Sequence, residues 1–461
     1  MKNVPAVVVG AGPTGLSAAY HLAHAAGGDA VLLLEQNRRV GGWCRSINDR
    51  GFTFDFAGHI MFSDQPYVLD LYGKLLGHNL HWQEREAWIY SKKVYTRYPF
   101  QGALYGLPAE VIKECLLGCL EARFGNLKTP GAMPATVPPA NFEEFIYRVW
   151  GAGIARHFAI PYNRKLWAVP LDEIETSWLG SRVPLPDIEQ IVEGALMPVP
   201  RAMGPNARFG YPLRGGFQAL MDGFLPLLSC ELRTRSRAVG ISPSRHCLTV
   251  LDLERGGRYE IGFEQLISTL PLPVLVQLMA DEAPEAVLTA ARRLRHVSVR
   301  CVNLGVGREH LTDKHWIYYP EETVFHRIFA QGNASPFCNP PGGFGLTCEI
   351  SYSDQKPLPA EGDALIDRCL AECREVGLLR PEDPVWAANQ LDLPYAYVVY
   401  DHHRQEQVAI IRQWLTRHDI VLAGRYAEWE YYNSDHAFIA GRNAADQVLG
   451  TWRGQPDESA A

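Results

Sequence analysis

Residues 6–46, AVVVGAGPTGLSAAYHLAHAAGGDAVLLLEQNRRVGGWCRS, leave this chain little choice of fold. Residues 6–9 read as a buried strand, an alanine- and leucine-rich helix starts at Thr14, and a second apolar strand at 31–34 ends on Glu35. Between the first strand and the helix, Gly10, Gly12 and Gly15 stand at the G-x-G-x-x-G spacing. Gly10 allows the tight turn, Gly12 lets a pyrophosphate approach the backbone, and Gly15 lets helix pack on strand. The phosphates then sit at a helix N-terminus, where free N–H groups and the dipole favour negative charge. Glu35 lies 20 residues beyond Gly15, where an acid can accept from a ribose hydroxyl. A glycine triplet alone is a weak signal. With strand, helix, strand and acid in register it predicts a dinucleotide site.

A second glycine pair, Gly41-Gly42, follows Arg39. A plain NAD site needs no further glycine turn just past the acid. The run resembles the FAD-binding signature of the glutathione-reductase-like flavoproteins, especially their amine-oxidase branch, and so implies FAD, with Arg39 and Gly42 beside it.

At 461 residues the chain is long enough for two or three domains with full cores. A net charge of −7, with no polybasic stripe, offers no field for nucleic acid. The ten cysteines include no C-x-x-C pair. Cys115/Cys119 and Cys369/Cys373 are one helical turn apart without histidines at zinc spacing, so they read as buried thiols rather than metal ligands. Free thiols fit a reducing cytosol. No apolar run approaches the ~20 residues of a membrane helix, and the N-terminal apolar run has no cleavage motif. The expectation is a soluble cytoplasmic protein.

Along the chain, residues 51–63 alternate into a short strand and then a glycine turn with His59, 67–76 read as a helix, and 88–98 as a hairpin. Residues 108–124 and 141–158 look helical, and the proline-rich stretch between them looks like an exposed loop. Arg214-Gly215-Gly216 opens a helix expected over 217–228. Strand-like runs at 297–306, 315–319, 324–329, 344–351 and 395–400 suggest an antiparallel sheet. A last buried strand is expected at 421–425 and a closing helix at 435–449. The fold class is therefore α/β: an FAD-binding Rossmann-like domain of the glutathione-reductase type, with a helical insertion and an antiparallel β-sheet substrate domain. The expected division is FAD-binding parts at 1–66, 206–296 and 416–461, a mainly helical substrate-binding domain at 67–205 and the antiparallel sheet domain at 297–415.

The segments that carry chemistry are PYNRKLWAVPLDEIETSWLGSRV (161–183), GPNARFGYPLRGG (204–216), WIYYPEETVFHR (316–327) and GRYAEWEYYNSDH (424–436). Arginine offers a planar fork matched to phosphate, and aromatic faces suit a nucleobase. Together these blocks resemble the UDP-galactopyranose mutase family, and most closely its eukaryotic-type branch. AGHIMFS resembles the family's GGH-x-IFS loop, and YPFQ, PYN-x-K-x-WAVP, WLG-x-RV, GPNA-x-F and WEYYNSDHAF match in order, covering most of the chain.

The resemblance implies a flavin-dependent isomerase, redox-neutral overall but active only with reduced FAD. It would interconvert the pyranose and furanose forms of a nucleotide sugar, UDP-galactose by default, through an adduct between flavin N5 and the sugar. NADPH or NADH is a candidate reductant, and a homo-oligomer is compatible with the family. By matched position, Arg182 and Arg327 would grip the diphosphate with Tyr318, Tyr397 and Tyr431. Tyr98, Gln101, Phe158, Asn163 and Trp167 would form the nucleoside pocket, and Asn206 would sit on a closing loop. Arg425 would lie near sugar and flavin. His59 and Gly58 would lie against the flavin, and Gly424 and Asp435 would complete its cradle.

Plainer roles stand beside these. Trp167 suits a core position, the two arginines suit ordinary ion pairs, and Asp435 suits a helix cap. Tyr318 and Tyr319 must face opposite ways on a strand, so one of them is packing. Three departures from the family pattern stand out: Ala57 in place of the first glycine of GGH, a shorter segment after Tyr431, and the acid Glu430 where that branch carries a base. The rival reading is an FAD-dependent oxidase or desaturase acting on an amine, a porphyrinogen or a polyene. Paired arginines would be out of place in the apolar pocket that such an enzyme needs.

Overall fold

The computed structural model describes residues 2–125, 138–180, 187–199 and 207–454. Arg182, Asn206 and most of the proline-rich stretch lie outside them.

The first sheet is the dinucleotide scaffold. Five of its strands run parallel, in the spatial order Ile420–Leu422, Gly257–Ser268, Lys2–Val9, Val31–Leu34 and Glu231–Arg233. Strands Ser236–Ser242 and Cys247–Asp252 extend it antiparallel from the first half of Gly257–Ser268. Parallel strands covered on both faces read as continuous apolar runs, as VVV and VLLL do here. The chain leaves this sheet and returns to it twice.

Helix Pro13–Ala26 packs on the sheet and against the closing helix, Ser434–Gly454. Two glycines make this layer thin. A Cβ at Gly15 would lie 1.8 Å from the Gly10 carbonyl oxygen, and one at Gly441 would lie 2.3 Å from that of Thr14. No side chain fits at either place.

The second sheet has seven strands in the order Val385–Val398, His296–Val306, Phe344–Tyr352, Arg327–Phe329, Trp316–Tyr318, Ala87–Ser91 and Val94–Arg97. All neighbours are antiparallel except Trp316–Tyr318 and Ala87–Ser91. The hairpin of residues 87–97 thus joins this sheet, so the span 67–205 contributes strands as well as helices. On one face Val302, Leu304, Leu346, Cys348 and Ile350 pack with Leu365, Cys369 and Cys373 of helix Asp363–Glu375. On the other, Val299 and Cys301 meet Trp43, Phe56 and Ala57 of the cofactor-side loops. Tyr319 enters the first core and Tyr318 points away from it, as the alternation requires. All ten cysteines are free, and nine are buried.

Three elements differ from expectation. The helix expected over 141–158 is interrupted at Gly151, where φ is +81°, and continues as a π-helical turn, Ala155–Ala159. Gly151 sits where a Cβ would meet the Gly118 carbonyl oxygen at 2.1 Å, so close helix contact breaks the periodicity. The helix expected over 217–228 is only Gln218–Asp222 and a 3-10 turn, Leu225–Leu227, because Pro226 cannot continue it. The strand expected at 395–400 is the 14-residue Val385–Val398, whose first half, VWAANQL, has no apolar/polar alternation to mark it.

Candidate active site

The glycine turn presents an uncapped helix. Gly12 is the N-cap of Pro13–Ala26 with no side-chain cap bond, and the first turn holds no acid, so its positive end is unneutralised. Gly42 faces it, and a Cβ there would come within 3.2 Å of the Gly12 Cα. Glu35 is buried at the end of Val31–Leu34. Its carboxylate accepts from the Ala11 N–H (2.9 Å), the Asn37 N–H (2.8 Å) and the Asn37 side chain (2.6 Å). A carboxylate offers about four lone-pair sites, so one remains for a ribose hydroxyl. Gly424, at φ +89°, brings the end of the last strand against Thr14. These residues fit the FAD expected from the sequence. Arg39 is instead paired at the surface with Asp222, at 2.8 Å. Asp435, in the first turn of the closing helix, bonds His436 Nδ1 at 2.8 Å and accepts from Ser63 at 3.4 Å.

From the cradle the chain runs through strand Phe52–Asp55 to the Ala57-Gly58-His59 loop. Ala57 holds φ +72°, a conformation where a Cβ costs roughly 1–2 kcal/mol and a glycine would cost none. His59 stacks on Phe217 at 5.1 Å and its Nδ1 bonds the Ala57 carbonyl at 3.1 Å. Burial pushes its imidazole down to about 4, so it is neutral at pH 7. Beneath it, fully buried Asp55 accepts from Ser46 (2.5 Å), Tyr211 (2.6 Å) and the Phe217 N–H (3.0 Å). Burial raises its carboxyl to about 6 against those bonds.

Across from this loop, arginines and aromatic side chains form one connected group. Arg327 donates from Nε (2.8 Å) and Nη2 (2.6 Å) to Glu349, and from Nη2 to the Tyr397 hydroxyl (3.3 Å). Its Nη1 has no partner among the described residues, and the side chain stays partly exposed. Arg425 donates to the carbonyls of Tyr432 and Ala396, both at 2.7 Å, and lies over the rings of Tyr431 and Tyr397 at 4.9 and 5.1 Å. Its Nε is buried without a partner among the described residues, an unmet donor that an anionic or hydroxylated ligand would satisfy. Tyr397 and Tyr431 stack at 6.0 Å, with Trp167 and Trp178 behind them. Trp167 is 1% exposed, so it builds the wall and not the lining.

A second aromatic run continues from Tyr318. Tyr98 stacks on it at 5.0 Å, Tyr162 meets it edge-on, and Phe158 and Phe100 stack on from Tyr162. Arg85 donates to the Tyr318 hydroxyl at 2.6 Å and lies over Trp316 and Tyr98. Gln101 is buried beside Phe100. Asn163 is turned back on its own helix, donating to the Ala159 carbonyl at 2.8 Å.

The expected residues Tyr98, Phe158, Trp167, Tyr318, Arg327, Tyr397, Arg425 and Tyr431 therefore gather in one place, while Arg39 and Asn163 are bonded elsewhere. Glu349, Arg85 and Tyr162 belong to the group and were missed. Glu349 had a readable signal: it is the one acid in the apolar run FGLTCEISY, and a buried acid needs a partner. The departure at Glu430 is explained by a cluster in which its carboxylate holds Arg404 and the Tyr400 hydroxyl, while Tyr400 accepts from the Tyr431 N–H at 2.8 Å. Two arginines, several phenols and flat rings suit a ligand with both a phosphate and an aromatic base. Among the described residues no cluster of three or more His, Cys, Asp or Glu could hold a metal, and no helix is long and apolar enough to cross a membrane.

Residues 8–75 match the NAD(P)-binding Rossmann-like domain, and residues 187–449 match the family described as flavin containing amine oxidoreductase. A crystal structure of reduced UDP-galactopyranose mutase superposes with a TM-score of 0.88 at 30% identity, covering 98% of this chain and 95% of that one. Human (Homo sapiens) protoporphyrinogen oxidase is 25% identical over 96% of this chain and 98% of its own length. Putrescine oxidase bound to putrescine shares the fold alone, with a TM-score of 0.62 at 16% identity over 97% and 99% of the two chains.

Proposed function

The chain belongs to the flavin containing amine oxidoreductase family, and from that premise we propose that it is a mutase interconverting the pyranose and furanose forms of a nucleotide sugar. The observation that carries this reading is the junction of Arg327 and Arg425 with Tyr318, Tyr397 and Tyr431 beside a run of stacked aromatic rings. Close likeness to a UDP-galactopyranose mutase along nearly the whole chain supports it. An amine- or polyene-selecting pocket has no use for two neighbouring arginines.

FAD, when bound and reduced, supplies a nucleophilic nitrogen for the anomeric carbon of the sugar. Every other demand falls on the protein. The diphosphate must be held while it is detached from the sugar, and Arg327 Nη1 with the Arg425 guanidinium and neighbouring phenols provides charge-assisted donors for it. These contacts contribute about 1.5–3 kcal/mol each. Keeping both fragments in one site replaces much of a bimolecular barrier. The aromatic run that begins at Tyr98 and Tyr318 offers a stacking surface for the base. Neutral His59 offers a carbonyl-anchored ring on the cofactor side and adds no charge there. UDP is the nucleotide we assign by likeness, and galactose is the first sugar to try.

The test is to reduce the purified protein anaerobically with dithionite and incubate it with UDP-galactopyranose and a panel of other nucleotide hexoses, deoxysugars and pentoses. Products are separated by chromatography and identified by NMR. A furanose formed only by reduced protein establishes the activity and names the sugar. The second reading, an oxidase, rests on the likeness to human protoporphyrinogen oxidase. Oxygen uptake with protoporphyrinogen or an amine, with every nucleotide sugar returned unchanged, would replace the mutase reading with it.

A further inference from the structure

Glu349 sits mid-strand in Phe344–Tyr352, fully buried. Its neighbours Leu346, Cys348 and Ile350 fill the core under helix Asp363–Glu375, so Glu349 points to the opposite face, toward the site. A hydrophobic residue would satisfy packing there. Instead one carboxylate joins two separate pieces of the site. Its Oε2 receives both Arg327 bonds, and its Oε1 accepts the Gly58 N–H at 3.0 Å. Gly58 is clamped from behind, since a Cβ there would lie 2.9 Å from Trp316 Nε1 and 3.0 Å from Phe329. The adjacent His326 is fully buried, its Nε2 4.0 Å from Glu349 Oε2 and neither ring nitrogen hydrogen-bonded among the described residues, and burial keeps its pKa well below the ordinary value. It therefore adds no competing charge.

We propose that Glu349 is a positioning residue acting on both halves of the site: it aims Arg327 at the ligand anion, and it places a fixed negative charge behind the Gly58 amide on the cofactor side. The inner edge of the guanidinium is spent on Glu349, which leaves Nη1 as the outward donor. The same carboxylate polarises the Gly58 N–H and would lend negative potential to the Ala57-Gly58-His59 loop, which the resemblance sets against the flavin. Ligand affinity and flavin potential then both answer to one residue. This rests on the nucleotide-sugar reading for the identity of the anion, but not for the effect on the flavin.

The experiment compares FAD-loaded wild type, Glu349→Gln and Glu349→Asp by two readouts: UDP affinity by calorimetry, and the two-electron flavin midpoint potential by dye-calibrated spectroscopy. Glu349→Gln removes the charge and should weaken UDP at least tenfold. It should also raise the potential by about 30 mV, the equivalent of a tenfold change in a two-electron equilibrium. Glu349→Asp keeps the charge but shortens the reach, so the potential should stay at the wild-type value while UDP affinity falls. A merely structural role would not separate the two variants in potential. UDP affinity within threefold of wild type in both variants overturns the Arg327 half, and equal potentials in all three proteins overturn the Gly58 half. If Glu349→Gln does not retain FAD, unchanged UDP affinity in Glu349→Asp still overturns the positioning of Arg327, and weakened affinity supports it. Wild type that binds no UDP would sink the nucleotide-sugar reading instead, leaving the potentials of Glu349→Gln and Glu349→Asp to decide the cofactor half.

Discussion

Arg327 is both a candidate ligand donor and the counter-ion of a buried acid, so its removal does two things. Arg327→Ala should abolish turnover, and it should also lower unfolding free energy by about 3–5 kcal/mol, because Glu349 is left buried and unpaired. Arg327→Lys keeps a charge for Glu349 but loses the fork. It should retain FAD and most of the stability while turnover falls by tenfold or more. Steady-state kinetics with urea unfolding separates the two effects. Asp55 and His59 make stability depend on pH with opposite signs. The Asp55 carboxyl is raised by burial from 3.8 to about 6, so its contribution is full below pH 4 and is lost as pH rises through 6. Two pKa units correspond to roughly 3 kcal/mol. The gap between Asp55→Asn and wild type should therefore shift by about that amount in favour of the variant from pH 4 to pH 7.5. The His59 imidazole is lowered by burial from 6.5 to about 4, so its contribution is present above pH 6.5 and is lost as pH falls through 4. Equilibrium unfolding across pH in the two single variants checks both signs.

At the scale of elements, the close approach of backbones decides most of what can be substituted. Gly12 has ordinary room for a Cβ, whose nearest neighbour would be the Gly42 Cα at 3.8 Å. Gly12→Val should thus fold while filling the space that a pyrophosphate needs, giving protein without the yellow colour; full flavin occupancy would refute the placement of the cofactor. Gly441 has no such room, and Gly441→Val should separate the closing helix from Pro13–Ala26 and lower the melting temperature whether or not FAD is present. Elements with strong periodicity or glycine punctuation were legible: both strands of the fingerprint, its helix, the 87–97 hairpin and the closing helix. The break at Gly151 was not, because a glycine in a helical pattern reads as tolerated until its neighbour across the interface is known. The first half of Val385–Val398 was also hidden, since VWAANQL lacks the period-2 alternation of a half-buried strand and only the assembled sheet defines its faces.

For the whole molecule, the first passage of the chain through the parallel sheet and its last return meet around the cradle, at Gly12 and Glu35 on one side and Gly424 on the other. A ligand bound there ties residues far apart in sequence. FAD at about 100 times its dissociation constant should add about 2.7 kcal/mol, so deflavinated protein should melt several degrees lower and recover on adding FAD. Differential scanning fluorimetry of the two forms measures this. The second sheet carries Arg327 while Arg425 follows strand Ile420–Leu422 of the first, so the two sheets together assemble the pair, and the hairpin of residues 87–97 carries Tyr98 to Tyr318 across more than 200 residues of chain.

The sequence by itself determined the dinucleotide scaffold, because its glycines and acid act within one strand-turn-helix-strand unit whose geometry is local. It also determined which aromatic residues and arginines to watch, through short blocks in a recognisable order. Only the tertiary structure decided which of them share a site, which face of a strand each occupies, and that Arg327 is held by Glu349. Those facts depend on strand register and on the burial of one charge beside another, and neither is written in the spacing of residues along a chain.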